Sequence, residues 1–323
     1  MIVPYLLRLL CLCLAAFFVI HTLAGLMVSL AAPAAVRAAQ RMRARRGAGL
    51  LLTLRLLPAA LGLTLVAGLC VPSYLLLEEG GSAERVGALC LVAAMAAAAM
   101  WTVAMARSVR AAARSVHHAR AWERSGSQSR MDGAQHPVWI VDSPAPLLAL
   151  AGVLRPRLVI SRMAAAALSS EQLRAALRHE EAHRAAKDNL KRLLLLLAPG
   201  LLPGWHGFQA LERGWFRLTE WAADDDAVAG NPRESLSLAS ALVRMARIGG
   251  TPEPEPLTVA FLADGGDLSA RVDRLLCPAT RIPAARRRPT LVVTAMLAAL
   301  FLAASLQPET LESAHRLMEH LIH

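Results

Sequence analysis

The sequence predicts a mostly α membrane protein carrying one inserted α+β domain. Three observations lead there: an apolar composition, four long uncharged stretches, and a long polar segment between the last two. Of the 323 residues, 55% are hydrophobic, and the mean hydropathy is +0.42. An ordinary soluble domain is less apolar than that.

The candidate spans are residues 9–32, 56–77, 86–106 and 291–306, each with enough apolar length to cross a bilayer or come close to it. The first is longer than the apolar core of a secretory signal, and five arginines follow it, so it reads as a retained anchor. A fifth apolar run, residues 193–205, is broken by Pro199-Gly200 and Pro203-Gly204. It is too short to span and predicts a buried or interfacial helix pair.

Charge placement gives an orientation. Arg37, Arg41, Arg43, Arg45 and Arg46 lie between the first two spans, and Glu78, Glu79 and Glu84 lie between the next two. Six arginines from Arg107 to Arg130 follow the third span, and Arg281, Arg286, Arg287 and Arg288 precede the fourth. The positive-inside rule then puts the N-terminus outside and the long segment in the cytoplasm. The expected organisation is residues 1–106 as three spans, 107–289 as a cytoplasmic domain, 290–306 as a fourth span and 307–323 as an external tail.

The net charge of +11 sits mostly beside the spans, where the lipid bilayer and its anionic headgroups are the simplest partner. No basic, aromatic-interleaved patch points to direct nucleic-acid binding. Five cysteines are present. Cys11, Cys13, Cys70 and Cys90 lie in or beside spans and read as small packing residues, as does Cys277. His21, within the first span, is a polar group in an expensive place.

Within the inserted segment, residues 125–129 (Ser-Gly-Ser-Gln-Ser) predict a linker, and residues 137–141, 147–154 and 157–160 predict strands. Residues 169–197 contain no Gly or Pro, begin with the capping pattern Ser169-x-x-Gln172, and predict one helical run. A later helix ends near Gly249, residues 252–256 form a Pro-rich linker, and residues 268–276 form a last helix.

The helical run holds His179-Glu180-Glu181-Ala182-His183. Positions i and i+4 share a helix face, so both imidazoles can reach one metal ion. Glu180, beside the first, is the candidate catalytic base, able to take a proton from a water on the metal. Downstream, Glu220-Trp221-Ala222-Ala223-Asp224 offers Glu220 as third ligand and, one turn on, Asp224 to accept from a ligand imidazole. The expected cofactor is Zn²⁺ in a His-His-Glu set, which makes the inserted domain zincin-like, of the gluzincin kind. Glu181 is expected to face solvent. His206, Arg244 and Arg271 could donate to an oxyanion by their chemistry, although each has a structural reading.

On these residues the chain resembles the BlaR/MecR-type membrane zinc metallopeptidases, peptidase family M-fifty-six. The resemblance rests on Arg155-Pro156-Arg157-Leu158-Val159-Ile160, Leu168-Ser169-Ser170-Glu171-Gln172-Leu173 and the histidine motif through to Asp188. It continues at Glu220 with Ala223-Asp224 and at Arg271-Val272-Asp273-Arg274-Leu275-Leu276. It implies a bacterial cell-membrane metalloendopeptidase with Asp188 as a further candidate to orient a ligand. Its substrate would be a cytoplasmic protein, either a transcriptional repressor or the chain itself. The best-known relatives carry a penicillin-binding sensor after the last span. Here 17 residues follow 306, too few for such a domain. Two alternatives share the motif: an HtpX-like quality-control peptidase, and a non-catalytic scaffold pinned by zinc, which has no need of Glu180.

Overall fold

The computed structural model describes residues 5–77, 86–143, 145–200, 206–249, 259–260, 268–277 and 307. The expected fourth span and the linker at 252–256 lie outside them. Helix α1 (Tyr5–Gln40) turns at residues 41–43 into α2 (Ala44–Leu65). That helix continues through a π-helical turn (Val66–Cys70) into α3 (Val71–Leu77), and α4 (Ala88–Ser125) follows. Three helical stretches, Tyr5–Gln40, Ala44–Leu77 and Ala88–Ser125, are long and apolar enough to cross a membrane.

These helices outrun their apolar stretches. The second begins twelve residues ahead of position 56 and carries Arg55 into the bundle, where burial is tolerable only because the charge is met. Its Nε donates to Glu212 Oε1 at 2.7 Å, and its guanidinium lies 4.4 Å from the Phe208 ring centroid. The α1–α2 hairpin closes tightly at Gly47. A Cβ there would lie 2.4 Å from the Ala39 carbonyl oxygen and 2.9 Å from Leu218 Cδ1.

A mixed sheet follows in the order β1-β2-β4-β3-β5, made of β1 (Ser127–Ser129), β2 (Val138–Val141), β3 (Leu148–Ala151), β4 (Arg157–Ser161) and the two-residue β5 (Val259–Ala260). Strands β2 and β4 run parallel, while β3 pairs antiparallel with both β4 and β5. The expected linker at 125–129 is instead partly an edge strand, with Ser127 opposite Ile140. Short serine-rich sequence lacks the alternation that marks a strand, and the neighbouring β2 supplies the pairing.

Five helices complete the domain: α5 (Arg162–Ala167), α6 (Ser170–Ala186), α7 (Asp188–Leu197), α8 (Gly207–Val228) and α9 (Pro232–Arg247). A sixth, α10 (Leu268–Leu276), follows β5. The capping box is formed as the sequence predicts, Ser169 and Gln172 bonding each other's backbone N–H. The single helix expected over 169–197 is broken at Lys187, which adopts a left-handed φ of 56° and separates α6 from α7.

Two cores meet along α8. Its first half packs Phe208, Leu211, Trp215 and Leu218 against Ala32, Ala39, Ala48 and Leu51 of α1 and α2. Its end places Ala227 and Val228 with the inner sheet face and with α6 and α9. Arg45, in the first turn of α2, also pairs with Asp226 of α8. The α1–α2 turn and the inserted domain therefore lie at the same end of the bundle.

Candidate metal centre

The motif helix α6 buries its central face. His179, Glu180 and His183 are fully enclosed, and Glu220 and Asp224 approach them from α8. The histidine Nε2 atoms lie 3.1 Å apart; that of His179 is 3.4 Å from Glu220 Oε2 and that of His183 is 3.4 Å from the other oxygen, Oε1. A tetrahedral ion with bonds of about 2.05 Å needs ligand atoms about 3.3 Å apart, and with one atom from each residue within 4.8 Å of the others the group can hold a metal ion.

A carboxylate stands behind each ring, at ion-pair distance for His179 and in a hydrogen bond for His183. His179 Nδ1 lies 2.9 Å from Asp224 Oδ1, and His183 Nδ1 lies 2.8 Å from Asp188 Oδ2. With Nδ1 protonated and donating to a carboxylate, the Nε2 lone pair points forward, the arrangement found behind most metal-bound imidazoles. Two lone pairs facing each other at 3.1 Å repel unless a proton or a cation lies between them. Asp188 reaches His183 because Lys187 turns the chain back, a placement that a continuous helix would deny it.

The electrostatics agree with a cation site. Burial opposes charge on His183, but Glu220 and Asp188 outweigh it and raise its pKa to about 10. His179 is raised too, the pull of Asp224 and Glu220 overcoming burial. Burial disfavours charge on Asp224 as well, yet Arg271 and His179 hold it down at about 2. Glu220 is held well below the usual carboxylate range against burial, chiefly by His183 and Arg271. For Glu180 burial wins, pushing it up to about 7. Among the described residues, neither oxygen of Glu180 has a hydrogen-bond partner. An enclosed carboxylate left this way is costly, and water or substrate at the centre would satisfy it.

Of the three suggested donors, one lies at the site. Arg271 donates from Nε and Nη2 to the two oxygens of Asp224 at 3.0 and 2.7 Å, and its Nη1 is 3.0 Å from Glu220 Oε2. Arg244 instead donates to the Ala167 carbonyl, and His206 is exposed ahead of α8. Glu181 does not face solvent. It is buried, accepting from the backbone N–H groups of Gln135 and His136 at 3.0 and 3.3 Å and from Arg184 Nε at 2.6 Å. It thereby ties the β1–β2 loop to the motif helix. A charged residue at an interior helix position carries no sequence sign of a loop that will cover it.

No protein-family model matches the chain, and no curated protein matches it. The chain is a mostly helical protein with three candidate membrane helices and a buried His179/His183/Glu220 group able to hold a metal ion.

Proposed function

We propose that the chain is a membrane-integral zinc metalloendopeptidase that hydrolyses peptide bonds of a cytoplasmic protein. The observation that carries this reading is the buried group of His179, His183 and Glu220 beside the enclosed carboxylate of Glu180, which has no hydrogen-bond partner among the described residues. Zinc held by these three residues would polarise a substrate carbonyl and draw the pKa of a water towards about 7.

The protein's own groups do the proton work. Glu180 accepts the proton of the attacking water and delivers it to the leaving amine nitrogen, and a pKa near 7 suits both transfers. Asp224 and Asp188 keep the two imidazoles in the Nδ1-protonated form. Arg271 keeps Glu220 and Asp224 ionised.

The Arg45–Asp226 pair supports a cytoplasmic domain, since it joins the arginine-rich first loop to α8. Three apolar helices ahead of the motif, and Arg271 of the Arg-Val-Asp-Arg run lying at the centre, favour the BlaR/MecR-type reading over the HtpX-like one.

The test compares purified, zinc-loaded wild type with Glu180→Gln on a cytoplasmic test protein. Turnover falls by about 10²–10⁴-fold while zinc content is kept. Zinc is lost from His183→Ala and Glu220→Ala. Equal turnover by wild type and Glu180→Gln would overturn the peptidase reading, and full zinc retention by both ligand variants would overturn the metal assignment.

A further inference from the structure

Among the described residues, the most exposed large apolar side chain is Leu154, 84% open to solvent. The others more than 70% exposed are Leu6, Met27, Leu30 and Leu89, all on α1 and α4, whose apolar faces a bilayer would cover. Leu154 lies instead at the tip of the turn 152–156 between β3 and β4, beside the exposed Arg155. A single surface leucine is ordinary. Position and charge set this one apart.

The turn points back along α4 towards its apolar stretch. Ser127, just past the end of α4, pairs with Ile140, Ile140 with Ile160, and Ile160 with Leu148, one row across the sheet. Along β4 from that row towards the turn, Arg157 pairs with Glu123 of α4, about one helical turn before Ser127. The strands therefore approach the turn in the same sense as α4 traced back towards the bilayer.

Helix α7 gives the height. Asn189, in its first turn, donates from Nδ2 to the carbonyls of Gly152 at 2.6 Å and Leu150 at 3.0 Å. At the other end the Leu196 carbonyl accepts from Arg107, and the carbonyls of Ala198 and Pro199 accept from Arg55. Arg107 is the first charge after the apolar stretch of α4, and Arg55 is the last before that of α2. Asn189 and Leu196 are about 10 Å apart along the helix, so the turn starts roughly that far from the end of the apolar stretches. Two extended residues, from Gly152 to Leu154, reach about 6 Å further. That brings the tip to a headgroup layer about 5–7 Å deep on each side of the hydrocarbon core.

We propose that the β3–β4 turn is a second membrane contact of the chain, made at the surface of an anionic bilayer. Leu154 enters the boundary between headgroups and acyl chains, and the Arg155 guanidinium meets lipid phosphate. Arg110 and Arg114 add positive charge within about 10 Å of Arg107 along α4. The turn hangs on Asn189, and Asp188 beside it stands behind His183. Anchoring the turn therefore holds the metal-site helices at a set height over the bilayer. The contact requires neither bound zinc nor peptidase activity.

The test places the photo-crosslinker p-benzoylphenylalanine at position 154 of the full chain, or at the exposed Leu236 of α9, past the far end of α8. Both variants enter nanodiscs of phosphatidylcholine with or without phosphatidylglycerol, and mass spectrometry identifies what each position captures on illumination. Phospholipid adducts form at 154 and not at 236, and phosphatidylglycerol raises the yield several-fold. Arg155→Gln removes most of that rise, while adducts to phosphatidylcholine persist. The proposal is overturned if position 154 captures no lipid, if it captures only protein, or if 236 captures lipid equally well. A yield indifferent to phosphatidylglycerol overturns the preference for an anionic surface.

Discussion

Each imidazole of the centre leans on its own carboxylate, so the metal affinity of two histidines is shared with two aspartates. Asp188→Asn or Asp224→Asn therefore weakens zinc binding about 10–100-fold, measured by competition with a chelating dye, without removing a ligand atom. Protonation makes a second expectation at this scale. The metal-free His183 has its pKa raised to about 10 from 6.5, so its contribution to stability is complete below 6.5 and is lost as pH rises through about 10. Asp224, held at about 2, works in the other direction and stabilises the fold until pH falls towards that value. Zinc at the proposed site displaces the protons held by His183 and His179, so binding at pH 7.5 releases at least about one proton, and the release falls as pH rises through about 10. A pH-indicator titration in weak buffer reads this directly, and zero release at pH 7.5 would contradict it. The spacing of His179, Glu180 and His183 was legible in the sequence because a helix turns i and i+4 onto one face. Arg271 lies 47 residues beyond Asp224 and joins it only through the tertiary fold, so its place beside the candidate ligands carried no local signal.

At the scale of elements, the break at Lys187 decides where Asp188 can reach. A residue other than glycine in the left-handed region costs about 1–2 kcal/mol, and here that cost brings a carboxylate behind a ligand. Lys187→Gly relieves the strain and stabilises the protein by about 1 kcal/mol with zinc binding unchanged. Lys187→Pro forces φ to about −65°, destabilises it by about 3 kcal/mol and weakens zinc binding through loss of the Asp188 contact. Thermal unfolding in detergent and zinc content check the pair together. No Gly or Pro marks this break, which is why residues 169–197 read as one helix. The β1 edge was hidden for a different reason, since its serines carry no strand pattern and β2 imposes the pairing. The capping box at Ser169, by contrast, is a contact between neighbours in sequence, and the sequence alone was enough to find it. Gly47 belongs to this scale too. Gly47→Leu drives a side chain into the Ala39 carbonyl and Leu218 and is expected to destabilise the protein by about 1–3 kcal/mol, read as a lower melting temperature.

For the whole molecule, the apolar stretches announced the membrane helices, but nothing in them said that they also complete the domain's core. Helix α8 carries Glu220 and Asp224, and its preceding turns bury Leu211, Trp215 and Leu218 against α1 and α2. Cutting at residue 107 would leave these side chains facing water, along with Glu212, whose partner Arg55 would be gone. Residues 107–289 expressed alone are therefore expected to aggregate or to bind little zinc, and a soluble, monomeric fragment with full zinc occupancy would contradict this. The practical result is that this centre has no detachable form. The amphiphile chosen to extract the protein stands in for the lipid around the helices that hold α8 in place, so detergent choice becomes as much a variable of any metal-binding assay as pH.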